Sequence, residues 1–230
     1  KMKETVAAIN AVTDSTKECH VYSSFETDGF VNKMDNRGYN DYYDRLTIHP
    51  YSQSPNFGSG DNPGAFYDQA MKLAESSGID HVKHYVNIMP EGKIPVISEY
   101  GIFRFTDTLV CSQTHAIYIA KVIMEYVRLG SPYIPKHCLV DWYSKGADSL
   151  GPTQQAVIQA VPQDEASTQT GEGEFKFFAT PSAKVFKMLN SCFGENVLDA
   201  AFDFTDTISN GFKAYSSLII KTAPATTMLR

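Results

Sequence analysis

The chain has 230 residues, of which 43% are hydrophobic and 20% are charged, and its formal net charge is −6. These values are ordinary for a globular protein and allow one large domain or two small ones with a sizeable core. The acidic balance argues against a nucleic-acid partner, because the chain has no basic excess to neutralise phosphates. A membrane span is also not expected, since no run of about 18 apolar residues occurs.

The four cysteines, Cys19, Cys111, Cys138 and Cys192, show neither the CxxC nor the Cys/His spacing of a zinc site. The sequence also lacks the glycine-rich loops that bind phosphates and the GxSxG turn of serine hydrolases. We therefore expect no bound metal and no cofactor.

Segments with the patterns of helices and strands alternate along the first 194 residues, as in a parallel α/β sheet. The expected helices are 3–12, 64–77, 112–129 and 181–193. The expected strands are 18–24, 43–49, 94–99 and 136–142. From Glu195 the pattern changes to two strands, 197–204 and 212–221, joined by a turn at Ser209-Asn210-Gly211. This tail is expected to begin a β-sheet module.

The number of predicted elements limits the possible architectures. Four strands and four helices are half of what a closed (β/α)8 barrel contains. The chain is therefore either a compact α/β sheet or the C-terminal half of a TIM barrel whose first half lies elsewhere.

Polar and aromatic side chains gather where three of the predicted strands end. His49 and Tyr51 end the second strand, Glu99 and Tyr100 end the third, and Trp142 ends the fourth. Because the carboxyl ends of parallel strands lie at one face, these side chains are expected to converge there. A carboxylate, an imidazole, phenols and an indole suit a carbohydrate, whose rings stack on aromatic faces and whose hydroxyls form hydrogen bonds.

Ordinary structural roles remain open for these residues. Glu99 could cap a neighbouring helix or pair with a lysine, and His49 could hold a backbone carbonyl in the core. Trp142 could plug the end of the barrel instead of stacking on a sugar. His81 and His84, at the end of a predicted helix, are expected to be solvated.

Two of the strand ends lie in segments that resemble known motifs. Residues 43–51, YDRLTIHPY, resemble the sixth-strand motif of clan A glycoside hydrolases, and residues 97–101, ISEYG, resemble their seventh-strand nucleophile motif. Helix 112–129, the strand end at Asp141-Trp142 and the helix after Ala179-Thr180-Pro181 are most similar to family 51 α-L-arabinofuranosidases. The resemblance covers most of the chain.

The resemblance implies specific roles for the residues at the strand ends. Glu99 matches the nucleophile of a retaining glycosidase, which attacks the anomeric carbon and forms a glycosyl-enzyme ester. His49 matches a histidine that lines the sugar subsite near the nucleophile. Tyr51 and Trp142 match the surrounding wall, and Tyr100 is a further expected substrate-binding residue.

Retaining hydrolysis also requires a second carboxylic acid about 5–5.5 Å from the nucleophile, to protonate the leaving oxygen. In the clan this acid lies at the end of the fourth strand, usually in an Asn-Glu pair, which this sequence does not contain. The acid is therefore expected before residue 1, in an N-terminal portion or a partner chain. Glu26 is the nearest substitute, but its position matches the fifth strand and not the fourth.

The resemblance thus predicts a retaining glycoside hydrolase that removes α-L-arabinofuranosyl or similar residues from polysaccharide or glycoprotein glycans. Residues 1–194 would form strands five to eight of the barrel, and residues 195–230 would begin a β-sandwich. A secreted or secretory-pathway location is expected, although no signal peptide is visible. The alternative is a non-catalytic structural or interaction subunit built on a degenerate glycosidase scaffold.

Overall fold

The computed structural model describes residues 2–12, 20–23, 26–53, 63–103, 112–142, 156–164, 166, 172–192, 196–198, 219–221 and 226–228. Its helices are α1 (Met2–Val12), α2 (Asp28–Asn36), α3 (Pro63–Leu73), α4 (His81–Ile88), α5 (Gln113–Arg128) and α6 (Pro181–Cys192). A 3-10 turn covers Asn40–Tyr42, and a π-helical segment, Ala74–Asp80, joins α3 to α4. Its strands are β1 (Arg45–Ile48), β2 (Tyr51–Gln53), β3 (Ile94–Ile97), β4 (Gly101–Phe103), β5 (Val140–Trp142), β6 (Ile158–Pro162), β7 (Phe175–Ala179), β8 (Asn196–Leu198), β9 (Ile219–Lys221) and β10 (Thr226–Met228).

The described residues form a mixed α/β fold with small sheets, as the alternation in the sequence indicates. The described strands do not close into a barrel. No helix in the described ranges is long and apolar enough to cross a membrane. The predicted helices 3–12, 112–129 and 181–193 are confirmed by α1, α5 and α6, whose ends differ by one residue at most.

The centre of the predicted sheet is a pair of parallel strands. β1 and β3 pair residue by residue, which confirms the core of the predicted strands 43–49 and 94–99. On the other side of β1, Tyr22 forms a single parallel bridge with Arg45. Within the described residues 20–23, the predicted strand 18–24 makes only this bridge and forms no ladder. Residues 18, 19 and 24 lie outside the described residues.

The same two chain segments pair a second time, as β2 and β4, after a short interruption. Pro50 lacks the N–H that a ladder needs, so pairing breaks there and resumes at Tyr51. Two residues, His49 and Pro50, separate β1 from β2, whereas three, 98–100, separate β3 from β4. The extra residue forms a bulge centred on Glu99, and bulges often re-aim side chains beside functional sites.

Helices cover one face of these strands. Leu46, Ile48 and Ile97 pack into a buried cluster with residues of α5 that recur every three or four positions, Tyr118, Ile119, Val122 and Tyr126. The hydroxyl of Ser112 caps α5 by accepting the His115 N–H. Because side chains alternate along a strand, Arg45 and Thr47 of β1 lie on the opposite face.

The predicted helix 64–77 is wrong in its boundaries, because the chain stays helical from Pro63 to Ile88 and widens to a π-helix at residues 74–80. The hydroxyls of Ser76 and Ser77 bond to carbonyls four residues earlier, which competes with regular helix bonding. Gly78 lies against α5, where a Cβ atom would be 3.3 Å from Val122. The π-helix lets the backbone approach α5 closely.

A second sheet contains two strands that the sequence patterns did not reveal. β6 pairs in parallel with β5 and antiparallel with β7. The predicted strand 136–142 is confirmed only over Val140–Trp142, since residues 136–139 lie before it in an irregular segment. β6 ends in Pro162, and β7 lies just before α6, and neither shows the apolar spacing of a typical strand signal.

The tail contains a small antiparallel sheet in the order β10-β9-β8. Of the two predicted strands, 197–204 and 212–221, the described parts are extended at Asn196–Leu198 and Ile219–Lys221. The predicted turn at Ser209-Asn210-Gly211 lies outside the described residues.

Candidate active site

Glu99 lies at the bulge between β3 and β4. Its side chain is partly buried, and its Oε2 atom accepts a hydrogen bond of 2.9 Å from the Tyr51 hydroxyl. Because the two segments run in parallel, both residues follow the carboxyl ends of adjacent strands. The structure therefore brings together two of the side chains that the sequence places at the strand ends.

The position of Tyr51 is fixed by contacts of the residues beside it. Its N–H donates to the His49 carbonyl at 2.9 Å. The next residue, Ser52, is fully buried, and its hydroxyl lies 2.8 Å from the hydroxyls of both Tyr118 and Ser77. Ser77 belongs to the π-helical segment and Tyr118 belongs to α5. These two elements therefore hold β2, whose first residue is Tyr51.

The tyrosine keeps its proton in this arrangement. Burial, followed by the hydrogen bond and the charge of Glu99, raises the pKa of the Tyr51 hydroxyl far above its ordinary value. Tyr51 therefore remains a donor to Oε2 at neutral pH. No described residue donates to the Oε1 atom of Glu99. One carboxylate oxygen is thus held in place by the Tyr51 hydroxyl.

His49 is positioned by a different glutamate. The Oε1 atom of Glu26 accepts the His49 backbone N–H at 2.9 Å and lies 3.0 Å from Nε2 of His81. The Glu26 side chain is only 8% exposed. Burial raises the pKa of Glu26, but the hydrogen bonds from His81 and the His49 N–H outweigh it, so the net pKa is lowered. Glu26 is therefore ionised and is a poor proton donor.

The two histidines of α4 are partly solvated, as expected, and each also contacts a carboxylate. His81 contacts Glu26, and Nε2 of His84 lies 2.8 Å from Oδ1 of Asp28. The ring of Tyr85 lies between them, with its centroid 5.1 and 5.0 Å from the two imidazoles. Their side chains remain 37% and 48% exposed. These contacts tie α4 to the start of α2.

Tyr100 does not join the Glu99–Tyr51 pair. Tyr100 is fully buried, and its ring packs edge-on against Tyr126 of α5 with 5.7 Å between the ring centroids. It therefore belongs to the helical side of the sheet. Trp142 ends β5, as predicted, but its side chain lies outside the described part of the structure.

Sequence reasoning missed the residues that support the site. Ser52 bonds to Ser77 and to Tyr118 across 25 and 66 positions, and no local pattern reveals such pairs. The sequence suggests Glu26 only as a second acid, whereas it bonds to the His49 N–H across 23 positions. Cys138 lies near Tyr51, where its charge, as the weakest of four influences, also raises the tyrosine pKa. The described residues contain no group of three His, Cys, Asp or Glu side chains that could hold a metal.

A solved glycoside hydrolase is similar to this chain in fold. No family model and no curated protein matches the chain. Among solved structures, it is similar to a GH51 arabinofuranosidase from Xanthomonas axonopodis pv. citri, with a TM-score of 0.51 and 13% sequence identity. The match covers 81% of this chain but only 38% of that enzyme. At this identity the likeness supports a glycosidase-like fold at most, and the described strands do not close into a barrel.

Proposed function

We propose that this chain carries the nucleophile of a retaining glycoside hydrolase that removes α-L-arabinofuranosyl or similar residues from polysaccharide or glycoprotein glycans. The observation that carries the proposal is the hydrogen bond between Tyr51 and Glu99 at the carboxyl ends of adjacent parallel strands. It fixes one oxygen of the Glu99 carboxylate. The structural likeness to an arabinofuranosidase supports the same assignment.

In the proposed reaction, an oxygen of Glu99 attacks the anomeric carbon as the bond to the leaving oxygen breaks. A glycosyl ester forms, and water then hydrolyses it with net retention of configuration. Tyr51 holds Oε2 by its hydroxyl, so that the attacking oxygen is presented in one orientation. His49 lines the sugar subsite, and Trp142 forms part of its wall.

The second carboxylic acid comes from another segment in this proposal. A general acid needs a raised pKa, so that it is protonated at the working pH. Glu26 has a lowered pKa and donates nothing, because it accepts hydrogen bonds from His49 and His81. We therefore assign the acid to an N-terminal portion or partner chain. Polymeric glycans favour a secreted or secretory-pathway location.

The proposed domain organisation follows from the same assignment. Residues 1–194 contribute strands five to eight of a (β/α)8 barrel, and the parallel pairing of β1 with β3 supports this part. Residues 195–230 begin a β-sandwich, which the antiparallel order β10-β9-β8 supports.

The test is hydrolysis of 4-nitrophenyl α-L-arabinofuranoside by the complete assembly, which is this chain with the N-terminal portion or partner that supplies the acid. This leaving group needs little protonation, so the first step depends mainly on the nucleophile. Glu99→Gln should lower kcat/KM by about 10³-fold or more, because the ester can no longer form.

The matched control is Glu91→Gln, which changes an exposed glutamate in the turn after α4. It should leave kcat/KM unchanged. Equal activity of Glu99→Gln and the wild type would contradict the assignment of the nucleophile. An assembly that contains both carboxylates and still hydrolyses no glycoside would favour the non-catalytic subunit.

A further inference from the structure

Arg45 lies far from the candidate active site. It begins β1, about 13 Å along the strand from His49 at the other end. Its neighbours across the sheet are Tyr22 on one side and Ile94 on the other. Because Leu46 faces the helices, alternation places Arg45 on the face of the sheet opposite the helical core.

The guanidinium of Arg45 is buried without a counter-charge. The residue is 7% exposed, and its Nε and Nη1 atoms have no hydrogen-bond partner among the described residues. Its sequence neighbour Asp44 does not compensate it, because Oδ2 of Asp44 accepts the Val21 N–H at 2.7 Å. A buried cation without a partner is strongly unfavourable, so this arrangement calls for an anion.

Two tyrosines form the walls of this position. The Cζ atom of Arg45 lies 5.7 Å from the ring centroid of Tyr22 and 5.6 Å from that of Tyr133. Both tyrosines are well exposed, at 44% and 54%. Cation–π contacts use the faces of a guanidinium and leave the N–H groups, which point outward in its plane, for another ligand. Nε and Nη1 are themselves buried, so a ligand reaches them when one of the two exposed tyrosine rings moves aside.

We propose that Arg45, Tyr22 and Tyr133 form a binding site for one carboxylate group. The two oxygens of a carboxylate match the paired donors of a guanidinium. The net charge of −6 works against the accumulation of free anions, whereas Tyr22, Tyr133 and the 36% exposed Ile94 offer apolar surface around the site. The carboxylate is thus that of an Asp or Glu side chain in a polypeptide segment that packs on this face.

The site does not depend on the proposed glycosidase chemistry, so its test is separate. The chain is titrated with sodium acetate at constant ionic strength, with chloride as the balancing anion, and the ring NMR signals of Tyr22 and Tyr133 are followed. A second titration uses the blocked peptide acetyl-Ala-Glu-Ala-amide. Both should give saturable shifts, and the peptide should bind at least about tenfold more tightly, because it also covers apolar surface.

The decisive variants are Arg45→Met and its matched control Arg37→Met, which changes an exposed arginine at the end of α2. Arg45→Met should weaken acetate binding at least about tenfold, and Arg37→Met should leave it unchanged. If Arg45→Met does not fold, Tyr133→Ala is used instead, because Tyr133 is exposed and contacts the guanidinium. It should weaken acetate binding several-fold.

Each result decides one part of the proposal. Shifts that rise linearly with acetate, or equal affinity in the Arg45→Met and Arg37→Met variants, would overturn the carboxylate site. If acetate saturates the site and the peptide binds no more tightly, the assignment to a polypeptide side chain is overturned.

Discussion

Glu99 and Glu26 both lie beside the segment that connects β1 to β2, but their surroundings differ. Glu99 is partly buried and accepts a single hydrogen bond from a described residue, the Tyr51 hydroxyl. Glu26 is almost fully buried and contacts both the His49 backbone and the His81 ring. Glu99 is therefore held by a side chain alone, whereas one of the two contacts of Glu26 is with the backbone at the end of β1.

The difference separates a carboxylate that is suited to react from one that is suited to hold structure. A backbone N–H, from His49, and a side chain, from His81, both bond to one oxygen of Glu26, Oε1, and keep the group ionised, as its lowered pKa indicates. Glu99 accepts a hydrogen bond from the Tyr51 hydroxyl alone among the described residues. Two glutamates at one end of a sheet are therefore not a catalytic pair by proximity alone, because their hydrogen bonds decide their chemistry.

Removing the tyrosine donor tests the reactive side of this comparison. Tyr51→Phe should lower kcat/KM on the aryl arabinoside by about 10- to 100-fold, because a hydrogen bond to a charged group contributes about 1.5–3 kcal/mol. The free energy of unfolding should fall by no more than about 3 kcal/mol, since the ring remains and only the hydrogen bond is lost. Steady-state kinetics and urea unfolding measure both. Unchanged kinetics would mean that Tyr51 does not position Glu99.

Removing the buried glutamate tests the structural side. Glu26→Ala should lower the free energy of unfolding by about 1–3 kcal/mol, because it leaves the part-buried His49 N–H without its acceptor. Glu91→Ala, at an exposed position, should stay within about 0.5 kcal/mol of the wild type. Equal unfolding midpoints for the two variants in urea would show that the Glu26 contacts do not stabilise the fold.

The smallest expected effect is a pH dependence of the Glu26 contribution. Its folded pKa lies below the ordinary value of 4.5, so its charge stabilises the fold above that value. The contribution should disappear as the pH falls through the lowered folded pKa. The difference in unfolding free energy between the wild type and Glu26→Gln should therefore shrink below pH 4.5. A difference that grows as the pH falls would contradict the direction of the shift.

Local patterns in the sequence predict the elements that carry the site. The apolar spacing of α5 and the compact apolar runs at β1 and β3 are strong signals, and all three elements are confirmed. The strand-end position of Glu99 follows from the same runs, and the parallel pairing of β1 with β3 brings Tyr51 to it.

The features that sequence could not predict depend on contacts between distant segments. The π-helix forms where Gly78 packs against Val122, and the burial of Tyr100 reflects the bulge that turns it towards Tyr126. The contact between Glu26 and His81 joins residues 55 positions apart. β6 and β7 are recognisable only by the partners with which they pair.

The covalent intermediate at Glu99 is the central claim, and trapping it is the most direct test. A 2-deoxy-2-fluoro-arabinofuranosyl fluoride slows both steps by destabilising the oxocarbenium-like transition state, while its good leaving group lets the first step proceed. After incubation with the complete assembly, peptide mass spectrometry should find the sugar as an ester on Glu99, and no label in Glu99→Gln. A label on another carboxylate, or hydrolysis of the aryl arabinoside without any label, would contradict the claim.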